Sequence, residues 1–251
     1  MNGLFQDLRY ALRQLRKSPG FTVVAVITLA LGIGANTAIF TLVQSVLLRS
    51  LPVANPSSLY RIGDKDQCCV DGLFPEDAAE TGDFSIFSTD LYDYFRKSAP
   101  EFEQLAAVQA GRWPWSVRRG NAIPKSLTGE FVSGNYFATL GLGPYMGRVF
   151  SDSDDVEGTP PVTVLSYHAW QAEYAGDPAI VGSTIYIQAK PFTVIGVAPA
   201  GFFGDRVTDN PPDFWMPLSD EPYVRGASSV LRSPIEHWLY PIGRVRPGTN
   251  I

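Results

Sequence analysis

Residues 15–40 read LRKSPGFTVVAVITLALGIGANTAIF, and this stretch decides how the rest of the chain is interpreted. No residue from Phe21 to Leu48 carries a formal charge. An α-helix of that length would extend about 42 Å, because a helix rises about 1.5 Å per residue. The hydrocarbon core of a bilayer is only about 30 Å thick. The sequence therefore predicts a transmembrane helix over residues 20–48.

A basic amphipathic segment precedes the apolar run. Apolar residues at helical spacing form one stripe over residues 1–19, and the polar residues fall on the other side. The polar side carries four cations: Arg9, Arg13, Arg16 and Lys17. This pattern predicts an interfacial helix on an anionic membrane surface, although a helix packed on a soluble partner is the alternative. Pro19 disfavours helix at Ser18 and is expected to separate the two helices.

The charges on either side of the run also predict its orientation. Four cations lie on the N-terminal side, whereas only Arg49 follows immediately on the other. The positive-inside rule then places the N-terminus in the cytoplasm and the residues after Ser50 outside the inner membrane. A cleaved signal peptide is the main alternative, but its apolar region normally runs only about 7–15 residues.

Small and polar residues within the run predict that the helix packs against other helices. Small residues let helix backbones approach closely, and an amide side chain is costly when it faces lipid. The predicted packing face contains Gly32, Gly34, Ala35 and Asn36. We interpret the run as an uncleaved span.

Composition and charge limit the remaining function classes. A chain of 251 residues suits one or two domains, and 45% hydrophobic residues indicate a folded protein. Beyond residue 49 the chain has 15 basic and 24 acidic residues. This excess of acids argues against nucleic acid as a partner, because phosphate binding needs clustered Lys and Arg. The only cysteines, Cys68 and Cys69, are adjacent and form neither a disulfide framework nor a zinc site.

Motifs for catalysis and cofactor binding are missing from the sequence. No Gly-x-x-x-x-Gly-Lys-Ser/Thr phosphate loop, HExxH or Gly-x-Ser-x-Gly motif is present. Residues 141–147 (GLGPYMG) resemble a dinucleotide loop superficially, but the third glycine is one residue late. The acidic run 152–157 fails the EF-hand register, so we expect a solvated loop rather than a calcium site. We predict no catalytic, cofactor-binding or metal-binding residue, and we expect His168 to be exposed on a helix.

After residue 57, short apolar runs alternate with polar turns, which predicts an α+β domain. The predicted strands are Leu59–Gly63, Leu105–Arg119 and Lys125–Val132 with a turn at Gly120-Asn121, then Val162–Leu165, Thr184–Gln188, Phe192–Val197, Phe214–Leu218 and Trp238–Val245. The predicted helices are Asp90–Lys97, Asn135–Leu140 and Ser166–Tyr174, and residues 64–82 are expected to form a loop. Three aromatic runs (113–115, 202–203 and 214–215) are expected to lie mostly in the core, and any exposed ring would suit docking of an adaptor or an apolar cargo.

Two separated blocks carry a family resemblance. The first is LRQLRKSPGFTVVAVITLALGIGANTAIF followed by TLVQSVLLRSLPV, and it resembles the start of MacB/FtsX-like ABC-transporter permeases, especially acidobacterial orphan permeases. The second is FVSGNYFATLGLGPYMGRVF (131–150) with residues 162–199, and it resembles the periplasmic core domain of the same family. The resemblance covers nearly the whole chain.

The resemblance implies a fold and a mechanism. It implies one span, then a mixed α/β periplasmic core domain over residues 50–251, divided into a membrane-proximal subdomain and an inserted one within roughly 133–232. It implies a partner ABC ATPase, further transmembrane helices or a second permease copy, and a periplasmic adaptor as another partner. Relatives continue with three more spans, so a chain stopping at Ile251 resembles a truncated permease. A single-span periplasmic sensor or binding module is the alternative, and an enzyme is disfavoured by the missing motifs.

Overall fold

The computed structural model describes residues 10, 13, 15–47, 52–62, 86–206, 208, 210–233 and 236–249, with only the backbone for 42–47. The chain divides into two compact units, Met1–Ser50 and Leu51–Ile251. Each unit is described by itself below. The predicted loop 64–82, with Cys68 and Cys69, lies outside the described residues.

The N-terminal unit contains helix α1, Pro19–Leu47. Residues 15–17 are also helical, and Ser18 interrupts the two helical segments. The break predicted at this point is confirmed, although the helix resumes at Pro19 itself. Proline is tolerated there because the first turn of a helix has no partner for its N–H. The Thr22 hydroxyl donates to the carbonyls of Leu15 (2.7 Å) and Ser18 (3.0 Å), which satisfies backbone acceptors at the break.

Helix α1 presents an apolar surface over Pro19–Thr41. Residues Pro19–Thr41 have a mean hydropathy of 2.1, and none of the most apolar part is buried. These 23 residues would span about 35 Å, so the helix is long and apolar enough to cross a bilayer. The length and composition agree with the span predicted over 20–48.

The second unit contains four short helices and ten strands among its described residues. The helices are α2 (Thr89–Ser98), α3 (Tyr136–Leu140), α4 (Tyr167–Tyr174) and α5 (Glu221–Arg225). The strands are β1 (Leu59–Arg61), β2 (Phe102–Gln109), β3 (Trp113–Arg119), β4 (Lys125–Val132), β5 (Met146–Gly147), β6 (Val162–Leu165), β7 (Thr184–Ile187), β8 (Lys190–Val197), β9 (Phe214–Pro217) and β10 (Leu239–Val245). The predicted α+β class is therefore confirmed.

All ten strands belong to one sheet that closes on itself. The order is β1-β10-β2-β4-β3-β7-β8-β6-β9, β5 pairs with β8, and β9 also pairs with β4. That last pairing, parallel from Gly129↔Phe214 to Val132↔Pro217, closes a ring of six strands. Strands β2, β10 and β1 extend outward from β4. The chain thus combines a closed ring with an open three-strand wing.

Large apolar side chains belong to a core cluster that takes residues from all six ring strands. Leu127, Phe131, Ile185, Phe192 and Phe214 belong to this cluster and are almost fully buried. Gly129 is required beside Phe214, because a Cβ there would lie 2.4 Å from Phe214 Cζ and 2.8 Å from Trp115 Cδ1. Burial of these side chains is the main favourable term holding the ring closed.

A second core cluster includes buried residues of the wing strands and of helix α3. Phe137 contacts the rings of Phe150, Phe202 and Trp215, with centroid distances of 5.5–6.2 Å. Phe202 also stacks on Trp215 at 5.4 Å. These contacts fix α3 against the sheet and hold the segment between β8 and β9.

Local groups cap the helix ends, at Ser166 and Gly141 as predicted and at Ser88, one residue before α2. Ser88 and Ser166 cap α2 and α4 by accepting from the N–H of Leu91 and Ala169. Gly141 ends α3 with a φ of 70°, a conformation that favours glycine.

Two predictions about local structure need correction. The predicted strand 105–119 is two strands, β2 and β3, separated at 110–112. The turn between the predicted strands 184–188 and 192–197, which their sequence places around 189–191, lies at Gln188-Ala189, and both of these residues have positive φ. This two-residue turn matches the twist of the paired strands. The division into two subdomains stays a prediction, because residues 51–251 form one compact unit.

Candidate functional site: the junction of the first and last strands

The strand that begins the domain lies beside the strand that ends it. β1 pairs antiparallel with β10 through Leu59↔Arg244, Tyr60↔Gly243 and Arg61↔Ile242. The preceding segment, residues 52–58, is called the linker below. The linker enters the domain at the outermost strand of the wing, and any force on it acts first on β10.

Arg244 of β10 fastens the linker to the domain. Its Nη2 donates to the carbonyl of Ala54 (2.7 Å), and its Nη1 donates to the hydroxyl of Ser58 (2.7 Å). Its Nε donates to the carbonyl of Thr139 in α3 (2.9 Å). One guanidinium thus joins the linker, the last strand and a helix, which its planar set of five donors allows.

Helix α3 supplies a second contact to the same segment. The N–H of Ala54 donates to the carbonyl of Leu140 (3.0 Å), one of the last acceptors of the helix. A Cβ at Gly141 would lie 2.4 Å from the Ala54 Cβ, so the close approach requires glycine there. The linker is therefore held by two short hydrogen bonds from Arg244 of β10 and by one hydrogen bond to the end of α3.

A buried group of charged residues lies between the wing and the ring. Arg112 Nε is 3.2 Å from Glu130 Oε1, and Arg112 Nη2 is 3.4 Å from Asp205 Oδ1. Trp215 donates from Nε1 to Glu130 Oε2 (3.2 Å), and Arg206 Nε is 3.6 Å from Asp205 Oδ2. The carboxylates of Glu130 and Asp205 are 0% and 3% exposed, so this is an interior charge cluster rather than a surface one.

Burial changes the acid–base properties of this cluster. Loss of hydration raises the pKa of Glu130 to about 7, and the positive charge of Arg112 opposes that rise. The pKa of the Tyr136 phenol, also buried, lies well above its ordinary value for the same reason. The guanidinium carbons of Arg61 and Arg206 lie 3.5 Å and 4.9 Å from the centre of the Tyr240 ring, which connects β1 to the cluster.

The predicted membrane-interface residues are only partly described. Arg13, Arg16 and Lys17 are helical and exposed, as an interfacial helix requires, and Arg9 lies outside the described residues. The predicted packing face of Gly32, Gly34, Ala35 and Asn36 is exposed on α1. A methyl group added at Gly32 or Gly34 would meet no atom within 4 Å other than the backbone of its own helix. Neither role is tested by these observations.

Threonine hydroxyls on α1 form hydrogen bonds within the helix. The hydroxyls of Thr28, Thr37 and Thr41 donate to the carbonyls four residues earlier at 2.7–2.8 Å. A buried or lipid-facing hydroxyl without a partner would be costly, and this bonding removes that cost.

The acidic run 152–157 is not a simple solvated loop, which corrects the prediction. Asp154 forms two hydrogen bonds of 2.7 Å with Arg148, and Asp155 accepts from the N–H groups of Gly134 (2.9 Å) and Ser219 (2.8 Å). Burial favours the protonated form of Asp154, but the bonds from Arg148 and Ser151 outweigh it and lower the pKa. The run joins α3, β5 and the segment after β9 through hydrogen bonds.

Other candidate sites are limited. No group of three His, Cys, Asp or Glu residues suited to a metal occurs among the described residues. His168 is exposed, as predicted. Two open surface clefts of about 340 and 260 Å³ lie beside the β3–β4 hairpin and beside the end of α2. Of the aromatic runs, Trp115, Phe202, Phe214 and Trp215 are buried, whereas Trp113 and Phe203 are exposed by 39% and 48%.

Sequence reasoning missed the residues that make the junction. Arg244 and Arg112 were not singled out, because nothing near them in sequence distinguishes them from surface arginines. Glu130 is the single acidic residue in the predicted strand 125–132. An acidic residue among the small and apolar residues at the end of that strand could have indicated a buried charge.

Comparisons with known proteins agree with this architecture. A sequence-family model for the MacB-like periplasmic core domain matches residues 22–251. The periplasmic region of MacB from Actinobacillus actinomycetemcomitans is 19% identical and aligns with a TM-score of 0.52 over 72% of this chain and 74% of that chain. The extracellular domain of the ABC-type transporter YknZ from Gram-positive bacteria is 16% identical, with a TM-score of 0.49 over 70% and 82%. Comparison with curated protein sequences gave no match. The likeness to the periplasmic region of MacB shows a shared fold.

Proposed function

Because this chain belongs to the family of MacB-like periplasmic core domains, we propose that it is the N-terminal portion of a permease subunit in a MacB/FtsX-like ABC transport system. Domains of this family are found in ABC-transporter permeases. The proposed role is mechanical: ATP hydrolysis by a partner ATPase moves the membrane helix, and the periplasmic domain changes position for efflux or envelope export.

The junction of the first and last strands carries this proposal. Movement of a membrane helix is transmitted to a domain only if the segment that connects them does not simply stretch. The linker is fastened by the Arg244 guanidinium and by the Ala54–Leu140 hydrogen bond, and β1 is paired with β10. A displacement of the linker is therefore passed to the sheet and to α3 together.

The N-terminal unit supplies the proposed membrane attachment. Helix α1 crosses the inner membrane, with the four cations at the cytoplasmic surface and the domain in the periplasm. The face containing Gly32, Gly34, Ala35 and Asn36 packs against further transmembrane helices or a second permease copy. Exposed Trp113 and Phe203 are candidates for contact with a periplasmic adaptor.

The proposal is tested by isolating the chain from membranes of its native host with and without ATP and vanadate. We expect an ABC ATPase to be recovered with it. We also expect amide hydrogen exchange in residues 52–61 to differ between the two nucleotide states. The Arg244→Gln variant should retain the ATPase but lose the nucleotide-dependent difference beyond β1.

The alternative function, a single-span sensor or binding module, gives a different result. The chain would then be recovered folded without an ATPase, and trapped nucleotide would leave its hydrogen exchange unchanged. The two clefts named above, in the part of the domain that the structure describes, are open to solvent, whereas a sensor is expected to enclose its ligand.

A further inference from the structure

One guanidinium is shared between a carboxylate of the sheet and a carboxylate of a loop. Arg112 reaches Glu130 of β4 with Nε (3.2 Å) and Asp205 with Nη2 (3.4 Å). Asp205 belongs to residues 198–206, which follow β8 and are called the β8–β9 loop below. Arg112 itself is only 11% exposed, so water does not replace either partner easily.

Several contacts hold the loop near Asp205. Phe202 packs in the core and stacks on Trp215, whereas the next residue, Phe203, is 48% exposed. Arg206 donates to the carbonyl of Ala110 (3.5 Å), and its guanidinium carbon lies 4.9 Å from the centre of the Tyr240 ring of β10. The bond between Arg112 and Asp205 is the tie among these that a change in the charge of Glu130 would affect directly.

Groups from four elements interact with Glu130. They are Arg112 from the segment after β2, Asp205 and Arg206 from the loop, Tyr136 from α3 and Trp215 from β9. The two cations and two carboxylates balance when Glu130 is ionised. Protonation of Glu130 leaves the cluster with one excess positive charge, and it removes the repulsion between the two carboxylates.

We propose that Glu130, Arg112 and Asp205 form a proton-controlled latch on the β8–β9 loop. When Glu130 is ionised, Arg112 is divided between two carboxylates and the loop is held loosely. A proton taken from solvent by Glu130 frees Arg112 to bind Asp205 and tightens the loop. Loss of that proton reverses the change.

The direction of the switch follows from the electrostatics. Burial of Glu130 favours its neutral form and moves its titration to about pH 7, within reach of the medium outside a cell membrane. The loop is therefore held more tightly at pH 6 than at pH 8. The range from pH 6 to pH 8 is relevant only if the domain lies in the periplasm, as proposed above. The latch itself does not depend on that placement.

Amide hydrogen exchange of the full chain in detergent micelles tests the latch without an ATPase. Peptides covering residues 199–206 are compared at pH 6 and pH 8 after correction for intrinsic exchange rates. We expect roughly tenfold more protection at pH 6, since a coupling of about one pK unit corresponds to a tenfold change in the opening equilibrium. Glu130→Gln should keep the protected state at both pH values.

Asp220 provides the matched control. Burial raises the pKa of Asp220 to about 7 as well, but the groups acting on it are the backbone of Val162 and Asp155, not the latch. Asp220→Asn should therefore leave the pH response of the loop intact. Asp205→Asn, a change in the loop rather than the sheet, should lower protection at both pH values and abolish the response.

Each outcome decides the matter. A response that persists in either Glu130→Gln or Asp205→Asn, or that disappears in Asp220→Asn, overturns the latch. If Glu130→Gln does not fold, Asp205→Asn still separates the two cases. If the pH response is observed but no ATPase is recovered with the chain, the latch is supported and the proposed transport role is not.

Discussion

Removal of the Arg244 guanidinium should release the linker while leaving the domain folded. Arg244→Gln eliminates three hydrogen bonds of 2.7–2.9 Å, to Ala54, Ser58 and Thr139. Bonds to a charged group contribute about 1.5–3 kcal/mol each when buried, and we take about 1 kcal/mol each for a partly exposed site. The local opening free energy of the linker should then fall by about 3 kcal/mol, or about 150-fold in the opening equilibrium.

Hydrogen exchange of residues 52–61 measures this directly. The variant should exchange roughly a hundredfold faster in that segment, whereas the ring strands, which Arg244 does not contact, should be unchanged. Arg246→Gln is the matched control, because Arg246 donates one bond to the Pro100 carbonyl (2.9 Å) and does not touch the linker. Arg244→Lys keeps the charge but cannot reach all three acceptors, so it should restore only part of the protection.

Two results would refute the reasoning. If Arg244→Gln leaves exchange in the linker unchanged, the guanidinium does not hold it. If the ring strands become exposed as well, the residue stabilises the whole domain, and the junction is not a local fastening.

Four further predictions follow from the same contacts. Gly129→Ala should lower the free energy of unfolding by about 1–3 kcal/mol in denaturant titrations, because its methyl group would overlap Phe214. The pKa of Glu130 is raised from 4.5 to about 7, so the folded state binds the extra proton and this residue should lower stability by up to about 3 kcal/mol between pH 5 and pH 8; Glu130→Gln should remove that part of the slope and leave the part due to Asp220, whose pKa is also raised to about 7. Replacing Arg112, Glu130 and Asp205 together by apolar residues of similar volume should keep or raise the melting temperature, because buried ion pairs often contribute little net stability. Reversing the charge of the four N-terminal cations should disturb insertion or orientation in a cysteine-accessibility assay, and unchanged topology would remove their assigned role.

Local signals were enough to predict most elements of the domain. Helices α2, α3 and α4 were predicted from short-range features, such as the Ser166 cap and Gly141 at the end of α3. Capping depends on atoms within three or four residues, so the sequence alone contains the information. The break within 105–119 was missed, because residues 110–112 lack the pattern of a turn and are shaped by distant partners.

Long-range pairings could not be predicted in the same way. Closure of the ring depends on pairing residues 129–132 with 214–217, over 80 residues apart in sequence. The linker contacts depend on the β1–β10 register, which brings Arg244 beside Leu59. A family resemblance predicts such an arrangement in outline, but it does not say which arginine fastens the linker. That assignment needed the coordinates of the guanidinium and its acceptors.

The buried charges argue for a role beyond stability. Removing two carboxylates and a guanidinium from water costs several kcal/mol per ion, and their mutual attraction recovers this only with excellent geometry. The distances in the cluster, 3.2–3.6 Å, are longer than those of the best charge-assisted bonds, which lie near 2.7–2.9 Å. Arg148 and Asp154 of the same domain form two hydrogen bonds with donor–acceptor distances of 2.7 Å. Closely spaced ion pairs therefore occur elsewhere in this fold. In a loosely paired interior cluster, the free-energy difference between alternative pairings is small. Binding of a single proton is enough to reverse such a difference.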